Sequence, residues 1–431
     1  MDAIRALFAT ELGYVALLFT LFVVPRYLQR WHIPAALTSL CLGGVAGMGF
    51  DLFTHDQTLH LLSSFGIVAL FLFAGLDVSA EELKRGQRVL WQHLAQNVAL
   101  LVVGLVAARQ AFGVDVREAA LISLALFTPS TGFILSSLDR LPLSDDERFW
   151  IKGKAISAEL LALLLLFVVL QSGSVQRLGL ASIALAAIVA VMPLVFRWFA
   201  QAIVPHAPNS EFAFLVMLAL VCAFMTRRLG AYYLVGAFIV GIAARRFREQ
   251  LPALADDKTT HAVEVFASLF VPFYFFRAGT ALRREEFTPE AVLLGVVLTM
   301  IALPMRLLAI TAHRRIALGE PPSQGARVAM AMAPTLVFTL VLASILRDDY
   351  GLPPHIFGGL IVYTIIDTVL PAVYFRHAPS PDDLALAGLS GLPPGAPPSS
   401  PSGARTGPPA PPAPAPGPAT PPAPAAADRR P

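Results

Sequence analysis

Charge is scarce in this chain. Asp, Glu, Lys and Arg make up only 14% of its 431 residues, where a soluble domain carries about 25%. So few charges cannot cover a water-facing surface of this size, which sets a soluble globular fold aside. The formal net charge of +3 is small and spread over loops, so it gives no basis for a nucleic-acid partner. Cysteine is rarer still. Cys41 and Cys222 are the two present, both in apolar segments, and they suggest neither a disulfide framework nor a metal site. Also missing are a Gly-rich nucleotide loop, a Walker motif, a His/Cys metal cluster and a nucleophile elbow. ATP-driven pumping and enzymatic chemistry therefore have no support, and no cofactor is called for. The stretch Met1–Glu11 lacks the cleavage pattern of a signal peptide, so Leu12 onward reads as a retained helix.

What is present is hydrocarbon, 56% by residue, arranged in runs long enough to cross a bilayer. Apolar runs of about 17–25 residues give thirteen spans, at 12–30, 34–50, 60–79, 92–113, 116–139, 148–172, 178–203, 210–229, 231–247, 261–282, 290–314, 324–346 and 355–375. The expected fold is an all-α polytopic membrane protein with residues 1–377 as the transport domain. With the N-terminus outside, the inner loops hold about eighteen Lys and Arg, Arg314 among them, against about nine in the outer loops. The outer loop Asp51–His60 has none. The expectation is a multi-pass protein of a bacterial inner membrane, N-terminus out and C-terminus in the cytoplasm. Residues 378–431 change abruptly to Pro, Ala, Gly and Ser. Such a segment cannot bury enough surface to offset chain entropy and is expected to be a disordered tail.

The membrane part repeats itself. Phe71-Leu72-Phe73-Ala74-Gly75 matches Phe275-Phe276-Arg277-Ala278-Gly279, and Thr128-Pro129-Ser130-Thr131 lines up with Ala333-Pro334-Thr335-Leu336. The copies, about 12–172 and 210–375, lie seven spans apart and are joined by the linking helix 178–203. An odd separation inverts one copy relative to the other, the design of secondary transporters.

Pro129 and Pro334 fall mid-span in matching helices. Proline removes a backbone hydrogen bond and clashes with the preceding turn. In lipid a broken helix survives only where protein or a water-filled cavity satisfies the freed groups. Two crossed, interrupted helices are therefore expected, with Thr128, Ser130 and Thr131 beside the first break offering oxygens to a cation. An ordinary kink is the bland alternative at each proline.

Glu159 sits within Ala155–Leu166, an otherwise apolar stretch. A carboxylate at this depth costs roughly 2.5–3.5 kcal/mol on insertion scales and usually marks an ion or proton path. It can hold a proton or a transported monovalent cation, never both, and that exclusivity is what exchange requires. The alternative is a structural ion pair with Arg277, Arg306 or Lys154. Arg306 and Arg277 both read as buried. Arginine stays protonated, so they are expected to supply fixed charge, with snorkelling the alternative, most of all for Arg277. Asp367, in the last span, is expected to pair with one of them or to titrate. Lys152 and Lys154 are expected at the cytoplasmic entrance, and Asp77 at a helix end.

At these residues the chain resembles the monovalent cation/proton antiporter superfamily, and within it the Kef-type branch, antiporter family two. The resemblance spans about residues 12–375. It rests on Phe65–Asp77 running into Glu81-Glu82-Leu83-Lys84-Arg85, the break at 128–131, the Gly236–Gly241 helix, and Val271-Pro272-Phe273-Tyr274-Phe275-Phe276. It implies a thirteen-helix fold, a homodimer, and a core domain moving as an elevator. The family's acidic pair falls on Ala158-Glu159, and a neutral first member goes with electroneutral exchange. The family's basic residue falls on Arg306, where many members have Lys. The charged stretch of the twelfth span is Pro334-Thr335-Leu336-Val337 here and lacks its charges. The family's cytosolic nucleotide-binding domain is not in this chain. The expected function is exchange of H+ for Na+ or K+ across a lipid bilayer. The rivals are a channel or uniporter, a sodium-coupled solute carrier of the same fold, and a scaffold acting through its tail.

Overall fold

Lipid offers no hydrogen bonds, so an apolar chain crossing it must close its backbone bonds internally, and helices follow. The computed structural model describes residues 11–31, 33–138, 140–207, 210–229, 233–247 and 257–377. The expected tail at 378–431 lies outside the described residues. Among those residues all regular structure is helical. In chain order the helices are α1 Glu11–Leu28, α2 Ala35–Gly44, α3 Gln57–Leu76, α4 Ala80–Arg85, α5 Gln87–Phe112, α6 Val116–Phe127, α7 Thr131–Leu138 and α8 Asp145–Gln171. There follow α9 Val175–Trp198, α10 Glu211–Arg228, α11 Tyr233–Arg246, α12 Asp257–Thr280, α13 Pro289–Leu318, α14 Pro322–Ala331, α15 Leu336–Tyr350 and α16 Pro354–His377.

Each of the thirteen expected spans coincides with one helix or one helix pair. Nine described helices are long and apolar enough to cross a membrane, ten if α14 and α15, bent by 50°, count as one span. Several helices start a few residues before their apolar run because the first turn is polar and capped, which hydropathy does not register. Asp56 Oδ1 accepts from the Leu59 amide at 2.6 Å and opens α3. Ser144 and Glu147 form a reciprocal capping box on α8, and Thr288 caps α13 ahead of Pro289. Glu147 also accepts from Arg327 Nε of α14 at 2.8 Å. This pins the start of α8, and with it the depth of Glu159, twelve residues or about 18 Å further along the axis.

The helices fall into two packed groups. In one, α3 lies against α11 and α12, α12 against α2, and α10 against α11. In the other, α13 lies against α14 and α16, α6 against α5 and α15, and α8 against α5, α6 and α7. Helix α9 touches both α11 and α8. In the first group α3 and α11 meet at Gly75 and Gly241. A Cβ on either would run into the partner's backbone, so only glycine allows this approach.

Candidate ion-binding site

The site begins with two interruptions. Helix α6 stops at Phe127, Thr128 is extended, and α7 restarts at Thr131. Helix α14 stops at Ala331 and α15 restarts at Leu336. The breaks satisfy each other. The Ser130 amide donates to the Pro334 carbonyl at 2.8 Å. Ser130 Oγ accepts from the Val337 and Phe338 amides at 2.9 and 3.3 Å. Thr339 Oγ1 donates to the Ala125 carbonyl at 2.7 Å, and Tyr363 Oη to that of Leu126 at 2.6 Å. Amides and carbonyls freed where α6, α14 and α15 end or begin thus find protein partners, as a membrane interior demands.

Glu159 lies beside this crossing, 1% exposed. It shares a small pocket with Ser130, Gly132 and Val337 of the interrupted helices and with Leu70 and Phe71 of α3. The amide and hydroxyl of Thr131 face it, so the positive end of α7 points at the carboxylate. Yet Glu159 Oε2 and Thr131 Oγ1 are both buried without a hydrogen-bond partner. Two buried, unsatisfied oxygens side by side suit a proton or a small cation that has shed its water. Of the three hydroxyls expected to contribute, Thr131 is turned toward Glu159. Ser130, unlike Thr131, lines the Glu159 pocket, but its oxygen already accepts two amides. Thr128 is buried at the break and is not among the pocket's lining residues.

Arg306 is 3% exposed and reaches the other break. Its Nη1 donates to the Ala333 carbonyl at 2.9 Å and to Tyr363 Oη at 3.1 Å, and its Nη2 to the Met332 carbonyl at 3.0 Å. These carbonyls close the negative end of α14, where a fixed cation is favourable. Asp367, fully buried, forms a 3.5 Å ion pair with Arg306 and accepts from Thr335 Oγ1 at 2.7 Å. Thr335 in turn lies 3.0 Å from Thr364 and 2.8 Å from Thr339. The charge of Arg306 is thus met by Asp367, not by Glu159.

Two cavities lie between the helix groups. One of about 480 Å³ reaches Pro334 and Thr368 past Phe22, Phe73, Phe133 and Phe275. The other, about 260 Å³, is lined by His60, Arg227, Tyr274, Arg277 and Arg347. They sit toward opposite ends of α12. Here the reading of Arg277 needs correcting. It is exposed and lines the outer of the two cavities as the sequence orients them, away from Glu159 and Asp367. A position late in α12 lets its long side chain reach an aqueous cavity, the snorkelling alternative.

Two other expectations also change. Lys154 is not at an entrance: it is fully buried, with Nζ 3.0 Å from His313 Nδ1. Arg314, counted in an inner loop, is buried inside α13 and held bidentately by Glu320 at 2.6 and 2.7 Å. Asp77 caps α3 as expected, but it also pairs with Lys152 at 2.5 Å. Thr335, Thr364 and Tyr363 escaped the sequence reading. The available signal was the spacing of Tyr363 and Thr364 before Asp367, which puts all three on one helix face.

A family model described as the transmembrane sodium/hydrogen exchanger matches residues 15–376. A probable Na+/H+ antiporter 3 of Methanocaldococcus jannaschii is 24% identical over 382 residues, covering 84% of this chain and 95% of that protein. The Na+/H+-K+ antiporter GerN of Bacillus cereus is 20% identical over 370 residues, 82% of this chain and 92% of its own length. Among solved structures, the sodium proton antiporter MjNhaP1 of Methanocaldococcus jannaschii superposes with a TM-score of 0.63 at 14% identity, over 84% of this chain and 94% of that one. The last likeness shows the fold alone. None of these relatives is named as Kef-type, so the matches reach the family and not that branch. The chain is a multi-pass integral membrane protein.

Proposed function

The chain belongs to the sodium/hydrogen exchanger family, and we propose that it exchanges protons for monovalent cations by competition at Glu159. One observation carries this: the enclosed Glu159 carboxylate and the Thr131 hydroxyl each keep an unsatisfied oxygen at the positive end of α7. A cation seated there meets Glu159 Oε2 and Thr131 Oγ1. A proton on Glu159 removes the negative charge that held it. Position 158 is alanine, so one acid titrates and one positive charge moves each way, which makes exchange electroneutral. Arg306 and Asp367 balance each other and stay fixed. The relatives' names include sodium and potassium, and both remain substrates in this proposal.

Two helix groups with a cavity toward each end of α12 support alternating access, the group holding Glu159 moving past α3 as an elevator. The same reading makes the protein a homodimer in a bacterial inner membrane, N-terminus outside, with residues 1–377 carrying transport. Exchange in proteoliposomes with an internal pH dye tests it, scanning Li+, Na+, K+ and Rb+ with and without a clamped potential. Cation gradients should drive opposing proton flux, unaffected by the potential, and the apparent KM for the cation should rise up to about tenfold per pH unit on acidification. Cation flux that persists with no counter-moving proton supports a channel instead. Removing 378–431 should leave exchange intact, against the scaffold reading.

A further inference from the structure

We propose that the outer of the two cavities is an anion site, where the guanidinium groups of Arg227 and Arg277 together take one tetrahedral oxyanion of the phosphate or sulfate class. The cavity has α3, α10 and α12 on one side and α15 on the other. Among the described residues it shares no lining side chain with the Glu159 pocket, so it is a separate place in the fold.

Three arginines line this cavity, each in the last turn of its helix, α10, α12 and α15. A basic side chain there ordinarily bonds the free carbonyls of the helix end. Arg347 is fully engaged. Its Nη1 donates to the Ala281 carbonyl at 3.0 Å and to Glu286 at 3.2 Å, and its Nε to Asp348 at 2.9 Å. Arg227 and Arg277 differ. Among the described residues neither guanidinium has a hydrogen-bond or ion-pair partner. Asp348 is the one carboxylate among the described lining residues, and Arg347 holds both it and Glu286. Two positive charges are therefore left without an offset. Both act on one ring, His60 of α3, and α10 and α12 pack on each other and on α3, which brings the two charges to the same part of the cavity.

A cleft lined by one sign of charge and walled by hydrocarbon focuses its field and concentrates the counter-ion. The apolar wall here includes Val68, Leu220, Phe224 and Leu340. Arginine presents a planar fork of N–H donors that meets two oxygens of a phosphate or sulfate at once, and two forks from adjacent helices suit one tetrahedral anion. A volume of about 260 Å³ falls below the roughly 300–1,000 Å³ of organic-ligand pockets, which limits the guest to a free ion or a single headgroup. Phe224 is 50% exposed, so a phospholipid headgroup has access as well as a dissolved ion. A cation entering through this cavity meets two bare positive charges, and a bound anion offsets them. That consequence rests on the exchange proposed above; the binding itself does not.

Binding is measured on the purified full chain with radiolabelled inorganic phosphate, and retention of phosphatidylglycerol by native mass spectrometry. The proteins are the parent, Arg227→Gln, Arg277→Gln, the double variant and Arg228→Gln. Neither lining arginine has a described partner to lose, so the variants should fold as the parent does. The parent should hold one phosphate per chain, displaced by sulfate, and each single variant should weaken it at least about tenfold. Arg228 is exposed and off the lining, and Arg228→Gln should bind as the parent does. Phosphatidylglycerol that is retained by the parent and displaces the phosphate, where phosphatidylcholine does not, identifies a headgroup as the resident oxyanion; phosphate binding indifferent to either lipid identifies the dissolved ion. Neither ligand bound by the parent, or the same binding in the double variant, overturns the proposal. Exchange is then followed in phosphatidylcholine liposomes with sulfate or gluconate at equal ionic strength. The parent's apparent KM for Na+ should be at least about twofold lower in sulfate, and the double variant should not distinguish the two anions. Equal KM values in the parent overturn the link to cation entry. Absent exchange in either anion, with phosphate still bound, would instead remove the function proposed above and leave this site standing.

Discussion

The Ser130 amide donates to the Pro334 carbonyl at 2.8 Å, so the interruption in one repeat is closed by the interruption in the other. Neither break is satisfied alone. The crossing is a single hydrogen-bonded unit, and Glu159 shares its pocket with both halves.

Ser130→Ala removes the acceptor of the Val337 and Phe338 amides. Leaving buried donors unmade costs about 1–3 kcal/mol each. The thermal unfolding midpoint of the purified protein should drop clearly, with slower exchange in the fraction that remains folded. A midpoint equal to the parent's would mean that α15 begins without this oxygen.

Arg306→Lys keeps the charge but not the planar fork, and one ammonium cannot reproduce the bonds to Met332, Ala333 and Tyr363. It should lower stability while retaining some exchange. Arg306→Ala strands Asp367 in the interior, a loss of about 3–5 kcal/mol. The double variant Arg306→Ala/Asp367→Asn should recover part of it. A double variant as unstable as the sum of the single ones would show that the 3.5 Å pair contributes no coupling.

Asp77 and Lys152 join the end of α3 to α8, one helix from each group, through side chains 27% and 29% exposed. A pair this exposed adds at most about 1 kcal/mol. Asp77→Asn and Lys152→Gln should therefore barely move the unfolding midpoint. Any sliding of the groups must part them, so each variant should change the exchange rate, and by the same factor as the double. Independent, multiplying effects would place the two residues in different steps.

Much of this fold could be read in the sequence because lipid leaves the backbone one economical answer, the helix. The breaks were legible for a narrower reason. Pro25, Pro193, Pro272, Pro304 and Pro371 lie inside unbroken helices, so proline alone is not the signal. Pro129 and Pro334 differ in occupying matching repeat positions with threonine or serine alongside. Glu159 stood out because no polar residue follows it for more than a turn. Lys154 and Arg314 hide in the sequence for one reason: Lys and Arg near span ends look like loop charges. Their partners, His313 and Glu320, are remote in sequence or outside the apolar run. Partners brought together by tertiary packing leave no periodic trace. For the same cause the shell of Thr335, Thr364 and Tyr363 around Asp367 stayed hidden.

Replacing the Glu159 carboxyl by an isosteric amide tests the central claim most directly. Glu159→Gln, purified as a monodisperse protein with the parent's unfolding midpoint or higher, is reconstituted and driven with a Na+ gradient. No cation-dependent proton flux should appear, while Glu159→Asp, which keeps the acid, should retain exchange with altered affinity. Proton flux through Glu159→Gln at the parent's rate would contradict the account.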